Sequence, residues 1–202
     1  MTTQTSVKNA SGHHDHDHGA SNAVFGFWMF ILSDFVLFAT LFASYAVLKD
    51  HTVGDVGIRQ VAGLPYVLVQ SLVLLVCSLT FGFCSLAAQR GRSCGVRFWL
   101  LITFIFGAIF FAMDYHVLAN LYVHGHTWHN SAFLSIYYTL IGFHGLHLLV
   151  GLVWMIVLML QLSSQGLTAI MKTRIACLGL FVHFLNILWI FIFTTVYLMG
   201  AL

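Results

Sequence analysis

A few ionisable and amide side chains interrupt otherwise apolar stretches of this sequence, and they are the residues best placed to do chemistry. Asp34 lies in the first such stretch, Asp114 and His116 in the third, His144 and His147 in the fourth, and His183 with Asn186 in the fifth. Residues three apart share a helix face, so His144 and His147 stand one turn apart, as do His183 and Asn186. An ionisable group at membrane depth is costly and faces protein or water, which makes each a candidate site. Asp34 reads either as an intramembrane carboxylate that exchanges a proton or pairs with an imidazole, or as a hydrogen-bonded packing residue. For His144, His147, His183 and Asn186 the competing role is interhelical hydrogen bonding that holds a bundle together. Counting from the helix starts places Asp34 and His183 about 12–15 Å inside, at depths where they could meet. Asp114 falls nearer the opposite surface, where it is solvated or caps a lipid-headgroup site.

Metal and redox chemistry find less support. The run Gly12-His13-His14-Asp15-His16-Asp17-His18-Gly19 has metal affinity, but without a fold to fix His13, His14, His16 and His18 that affinity is adventitious. A bis-His haem takes one axial ligand from each side, so His144 and His147 on one helix cannot clamp it, whereas one of them with His183 could. The four cysteines, Cys77, Cys84, Cys94 and Cys177, form no C-x-x-C, C-x-x-C-H or Cys₂His constellation. Cys77 and Cys84 are about 10 Å apart along a helix, too far to bridge, and no structural disulfide is expected.

The elements that position these groups follow from composition. Of 202 residues 60% are hydrophobic and only 7% charged, against roughly 25% in an average soluble protein. Nineteen Phe and one Pro exclude a disordered regulator or a disulfide scaffold. Eight Lys and Arg against six Asp, with no Glu, leave a net charge of +2 and no basic groove for nucleic acid. Five stretches reach the roughly 20 apolar residues needed to cross a bilayer: Val24–Leu48, Pro65–Ala88, Phe98–Leu121, Ala132–Leu162 and Ile175–Leu198. The fourth, well over 40 Å long at about 1.5 Å per residue, must tilt or project. Residues 1–22 are too polar to bury anything and are expected to be a disordered His-rich tail, and residues 23–202 form one all-α, polytopic transmembrane domain. The chain shows no signal-peptide pattern, so the first span is expected to be retained.

Orientation follows from the basic residues. Lys8, Arg90, Arg92, Arg97, Lys172 and Arg174 fall on the side of the N-terminus, and only Lys49 and Arg59 on the other. The N-terminus is therefore expected in the cytoplasm, with the C-terminus and the loop carrying His124, His126 and His129 on the periplasmic face of a bacterial inner membrane. Trp28 and Trp99, with Phe25, Phe27 and Phe98, suit headgroup-level anchoring at lipid or subunit interfaces. Trp154 and Trp189 lie deeper and suit packing or a helix interface. The basic residues also suit anionic lipid, although orienting the chain already accounts for them.

Three segments then resemble a known family. Phe25-Gly26-Phe27-Trp28 with Ser33-Asp34 and Leu37-Phe38, then Gly142-Phe143-His144-Gly145-Leu146-His147, and finally His183-Phe184-Leu185-Asn186 with Trp189, resemble subunit III of the haem-copper oxidases. The five-helix length, the His-rich tail and the ending Val196-Tyr197-Leu198-Met199-Gly200 are most similar to the ubiquinol oxidases of cytochrome bo type. The resemblance implies a non-catalytic subunit of a proton-pumping terminal oxidase that couples quinol oxidation to reduction of oxygen to water. It further implies that haem and copper reside on partner subunit I, that phospholipid binds between helix groups, and that proton uptake is supported. Asp34 occupies the position of a buried Glu in many cytochrome c oxidases, and Asn186 replaces the Asp of their H-F-x-D motif. Two other classes stay open from the residues alone, a small bis-His membrane cytochrome and a stand-alone proton or ion transporter.

Overall fold

Pro65 and Thr168 show how this chain starts its helices. Pro65 falls in the first turn after Gly63, where its missing N–H has no partner to lose. Thr168 accepts a hydrogen bond on its side chain from the Met171 amide at 3.3 Å, capping the last helix. The computed structural model of the chain describes residues 8–48, 63–123 and 132–198, with side chains other than those of residues 8–21, 23 and 64. Among the described residues there is no strand. Five helices follow in order: α1 Lys8–Leu48, α2 Leu64–Gln89, α3 Ser93–Val123, α4 Ala132–Gln165 and α5 Ala169–Ile192, the last continuing into a π-helical turn, Phe193–Leu198. Each contains a segment long and apolar enough to cross a membrane, so the chain is a multi-pass membrane protein.

Several helices are longer than the apolar runs that predict them. α3 starts at Ser93 rather than Phe98 and α5 at Ala169 rather than Ile175. The additional turns carry Arg97, Lys172 and Arg174, polar residues that a hydropathy reading trims away. α1 starts at Lys8, so the backbone of residues 8–22, expected to be disordered, is helical here. Extending an existing helix avoids the nucleation cost that an isolated polar segment would face. The side chains of His13, His14, His16 and His18 lie outside the described residues, as do His124, His126, His129 and the C-terminal Gly200–Leu202.

From α2 to α5 the helices pack antiparallel to their chain neighbours, with α4 and α5 at the centre. α3 lies on α4, α2 on α5, α2 and α3 on each other, and α1 against α4 and α5. Glycine sets the closest approaches. A Cβ at Gly179 of α5 would stand 2.8 Å from the Phe81 ring of α2, and one at Gly107 of α3 would stand 3.0 Å from Leu152 of α4. Within the central pair, a Cβ at Gly151 would stand 3.2 Å from Phe181. Small residues that let backbones and rings approach in this way are how helices associate without a hydrophobic drive from the lipid. Along its described side chains α1 has no such seam: a Cβ at Gly26 would meet nothing within 4 Å. Its inward residues are Ile31, Phe38 and Tyr45, and Phe27 meets Trp154 edge-on.

Candidate functional site: two buried polar pairs on either side of α4

The antiparallel register of α1 on α4 brings Asp34 to His147. Their Oδ2 and Nε2 atoms lie 3.3 Å apart, with both side chains nearly buried. Asp34 Oδ2 nevertheless lacks an aligned hydrogen bond among the described residues, so the contact is a close approach rather than a directed bond. His147 Nδ1 lies 2.8 Å from the Phe143 carbonyl. A carbonyl only accepts, so Nδ1 carries a proton and Nε2 is the nitrogen facing the carboxyl group. The Phe38 ring packs edge-on against the imidazole at 5.4 Å.

The expected meeting of Asp34 with His183 does not occur. His183 faces α2, where its Nδ1 lies 3.0 Å from Ser78 Oγ, and Phe81 packs edge-on against the ring. Counting residues fixes depth and leaves rotation about the helix axis undetermined; α5 turns His183 toward α2. The neighbours of His144 are different again. It is fully buried, with Nε2 3.4 Å from the Leu185 carbonyl and its ring against Phe110 and Trp189. Its Nδ1, and both amide atoms of Asn186, are buried without hydrogen-bond partners among the described residues. The three imidazoles are thus each committed to different neighbours, and none of these contacts pairs His183 with His144 or His147 across a gap of the kind a bis-His haem occupies.

A second polar pair lies on the other side of α4. Asp114 of α3, expected near solvent or a lipid headgroup, is 3% exposed and accepts a hydrogen bond from Gln70 Nε2 at 3.2 Å. The α2–α3 pairing and the close fit at Gly145 enclose it: a Cβ at Gly145 would stand 3.4 Å from Asp114 Oδ2. Gly145 and His147 are two residues apart, about 200° around the helix, so the carboxyl groups of Asp114 and Asp34 approach opposite faces of α4. Sequence reasoning missed Gln70. Its signal is an amide in the apolar run Val67–Val76, a polar group that needs a partner at that depth just as a charge does.

Further polar contacts line the same end of the bundle. The Tyr137 and Tyr197 hydroxyls lie 2.7 Å apart, fully buried, where the π-helical turn brings Tyr197 onto α4. Tyr66 donates to the Met113 carbonyl at 3.2 Å, and Trp189 donates from Nε1 to Ser71 Oγ at 2.9 Å. Trp189, 1% exposed, is therefore an internal clasp between α5 and α2. Trp28 is half-exposed on α1, and Trp99 is partly buried against Phe83, with ring centres 4.8 Å apart. All four cysteines are free thiols. Among the described residues no group of three His, Cys, Asp or Glu side chains gathers to hold a metal ion.

Comparison with known proteins is consistent with this arrangement. Residues 4–201 match the family described as cytochrome c oxidase subunit III. The chain is 50% identical over 192 residues to cytochrome bo(3) ubiquinol oxidase subunit 3 of Pseudomonas aeruginosa, covering 94% of this chain and 92% of that one. It is 44% identical over 187 residues to the Pseudomonas putida protein of the same name, covering 93% and 90%. It is 38% identical over 197 residues to quinol oxidase subunit 3 of Bacillus subtilis, covering 91% and 96%. With the match running through all five helices, the chain belongs to the haem-copper oxidase subunit III family.

Proposed function

We infer that this chain is subunit III of a proton-pumping quinol oxidase of cytochrome bo type, in a bacterial inner membrane. The observation that carries the reading is near-full-length similarity to proteins named as ubiquinol or quinol oxidase subunit 3. On this reading quinol is oxidised and oxygen reduced to water by haem and copper on subunit I, and this chain packs beside it without a redox centre of its own. Phospholipid is expected in a cleft between helix groups of the chain. In support, α1 rests on α4 and α5 with no glycine seam, and turns Phe25, Trp28, Phe35 and Val36 outward.

Within that role, Asp34 and His147 form a proton-exchange site, and the argument is a count of protons. With Nδ1–H donating to the Phe143 carbonyl, a neutral His147 would turn its Nε2 lone pair toward Asp34 Oδ2. Two acceptors repel, so the 3.3 Å approach is favourable when one further proton is present, as imidazolium or as carboxylic acid. On this reading that further proton is the one the site exchanges. His144 and His183 serve as interhelical contacts, to α5 and α2 respectively.

The assignment is tested by affinity purification of the tagged chain from native membranes. It is expected to co-purify with haem-bearing subunits and quinol oxidase activity, and to show no Soret band when separated from them. Migration as a solitary protein, or a stoichiometric Soret band on the isolated chain, would overturn it. For the pair, Asp34→Asn is expected to assemble normally and to reduce proton-linked turnover. Failure of that variant to assemble would make the carboxyl group structural and end the proton role.

A further inference from the structure

We propose that Asp114 and Gln70 form a second proton-binding site, in which the carboxyl group is held in its protonated, neutral form and recognised by the amide. The site does not depend on the oxidase reading; it rests on how a buried carboxyl group and a buried amide are satisfied. An ionised Asp114 would offer about four acceptor positions and no donor. Among the described residues it receives a single bond, from the neutral Gln70 Nε2 at 3.2 Å, and forms no ion pair with Lys, Arg or His. Its other oxygen lies against α4 at Gly145, which supplies no charge.

Gln70 carries the complementary observation. It is 1% exposed, and its Oε1 is buried without a partner among the described residues. That orphan is an acceptor in want of a donor, and a carboxylic acid has the donor that a carboxylate lacks. A protonated Asp114 beside a primary amide can accept from N–H and donate to C=O, so one proton supplies what both side chains miss. Among the described residues the titratable groups near enough to sense a charge on Asp114 are Tyr66 on α2, Tyr137 on α4 and Tyr197 on the π-helical turn, all of them phenols and none a cation. His116, two residues along α3, is exposed. A single unpaired negative charge in a membrane-buried pocket is what the surrounding groups are least equipped to hold.

The test is infrared spectroscopy of the complete membrane complex, with carboxyl-13C aspartate incorporated, comparing wild type with Asp114→Asn. The difference spectrum is expected to show loss of one isotope-sensitive protonated-carboxyl carbonyl band and no loss of carboxylate stretches. Loss of carboxylate stretches instead would overturn the proposal. Gln70→Leu tests the amide's part and also serves if Asp114→Asn does not assemble. It is expected to shift the same band to higher frequency as the acid loses its partner. Conversion of that signal to a carboxylate, or a spectrum in which no protonated-carboxyl band moves, would count against the site.

Discussion

The two sides of α4 solve the same problem by different means. On one side Asp34 meets His147, a group that can take or give a proton, on a helix seated without a glycine seam. On the other, Asp114 meets Gln70, which cannot titrate, between helices joined closely to α4 and α5 through Gly107 and Gly179. A titratable partner facing a helix seated without a glycine seam suits exchange. A fixed amide partner in a tight seam suits retention. The contrast teaches that a buried carboxyl group alone does not define a role; its partner and the rigidity of its walls do.

That contrast can be broken most forcefully at the seam. Gly179→Leu would drive a side chain into the Phe81 ring, so it is expected to lower the stability of the purified complex by about 1–3 kcal/mol or more. Gly26→Leu on α1 is expected to have little effect. Thermal inactivation and subunit retention in detergent check both, and equal losses would erase the distinction between the seam and α1. Next in size, Gln70→Leu leaves buried Asp114 without its partner and is expected to cost about 1–3 kcal/mol. Asp34→Asn is expected to change stability by roughly the 0.6 kcal/mol typical of a polar contact between membrane helices. Chemical denaturation of the two variants side by side tests that ordering, and a larger loss at Asp34 would reverse the assignment of roles. An equally small effect, again roughly 0.6 kcal/mol, is expected at Tyr197→Phe, which removes one hydroxyl from the buried Tyr137 pair without altering proton-linked turnover.

How far the sequence reveals this molecule depends on what a residue needs from its surroundings. Five spans follow from hydropathy, because a chain of this composition must satisfy its backbone internally when it crosses lipid. The helix ends differ by about a turn wherever Ser93, Thr168 and basic residues extend a helix beyond its apolar run. Asp34, Asp114 and the imidazoles stand out individually as ionisable groups in apolar surroundings. Their partners do not, since partnership depends on rotation about the helix axis and on register. Depth alone matched Asp34 with His183, whereas packing places His147 there and turns His183 to Ser78. Gln70 escaped because an uncharged amide draws less notice than a charge, although buried at the same depth it is almost as demanding. The glycine seams were equally hidden: nothing local distinguishes Gly179, pressed on a ring, from Gly26, beside open space.

The wider turn at Phe193–Leu198 bears on how this end of the protein tolerates change in chain length. A π-helical turn accommodates one residue more than a regular α-helix, so Tyr197, near its far end, is turned away from the bearing it would take in an uninterrupted α-helix. Tyr197 reaches Tyr137 by virtue of that offset. A single-residue deletion at Thr194 or Thr195, whose hydroxyls bond only to carbonyls of their own helix, would therefore let the helix close into regular geometry while the phenol keeps its bearing. A deletion in α2 or α3 has no such slack and would rotate half an interface out of contact.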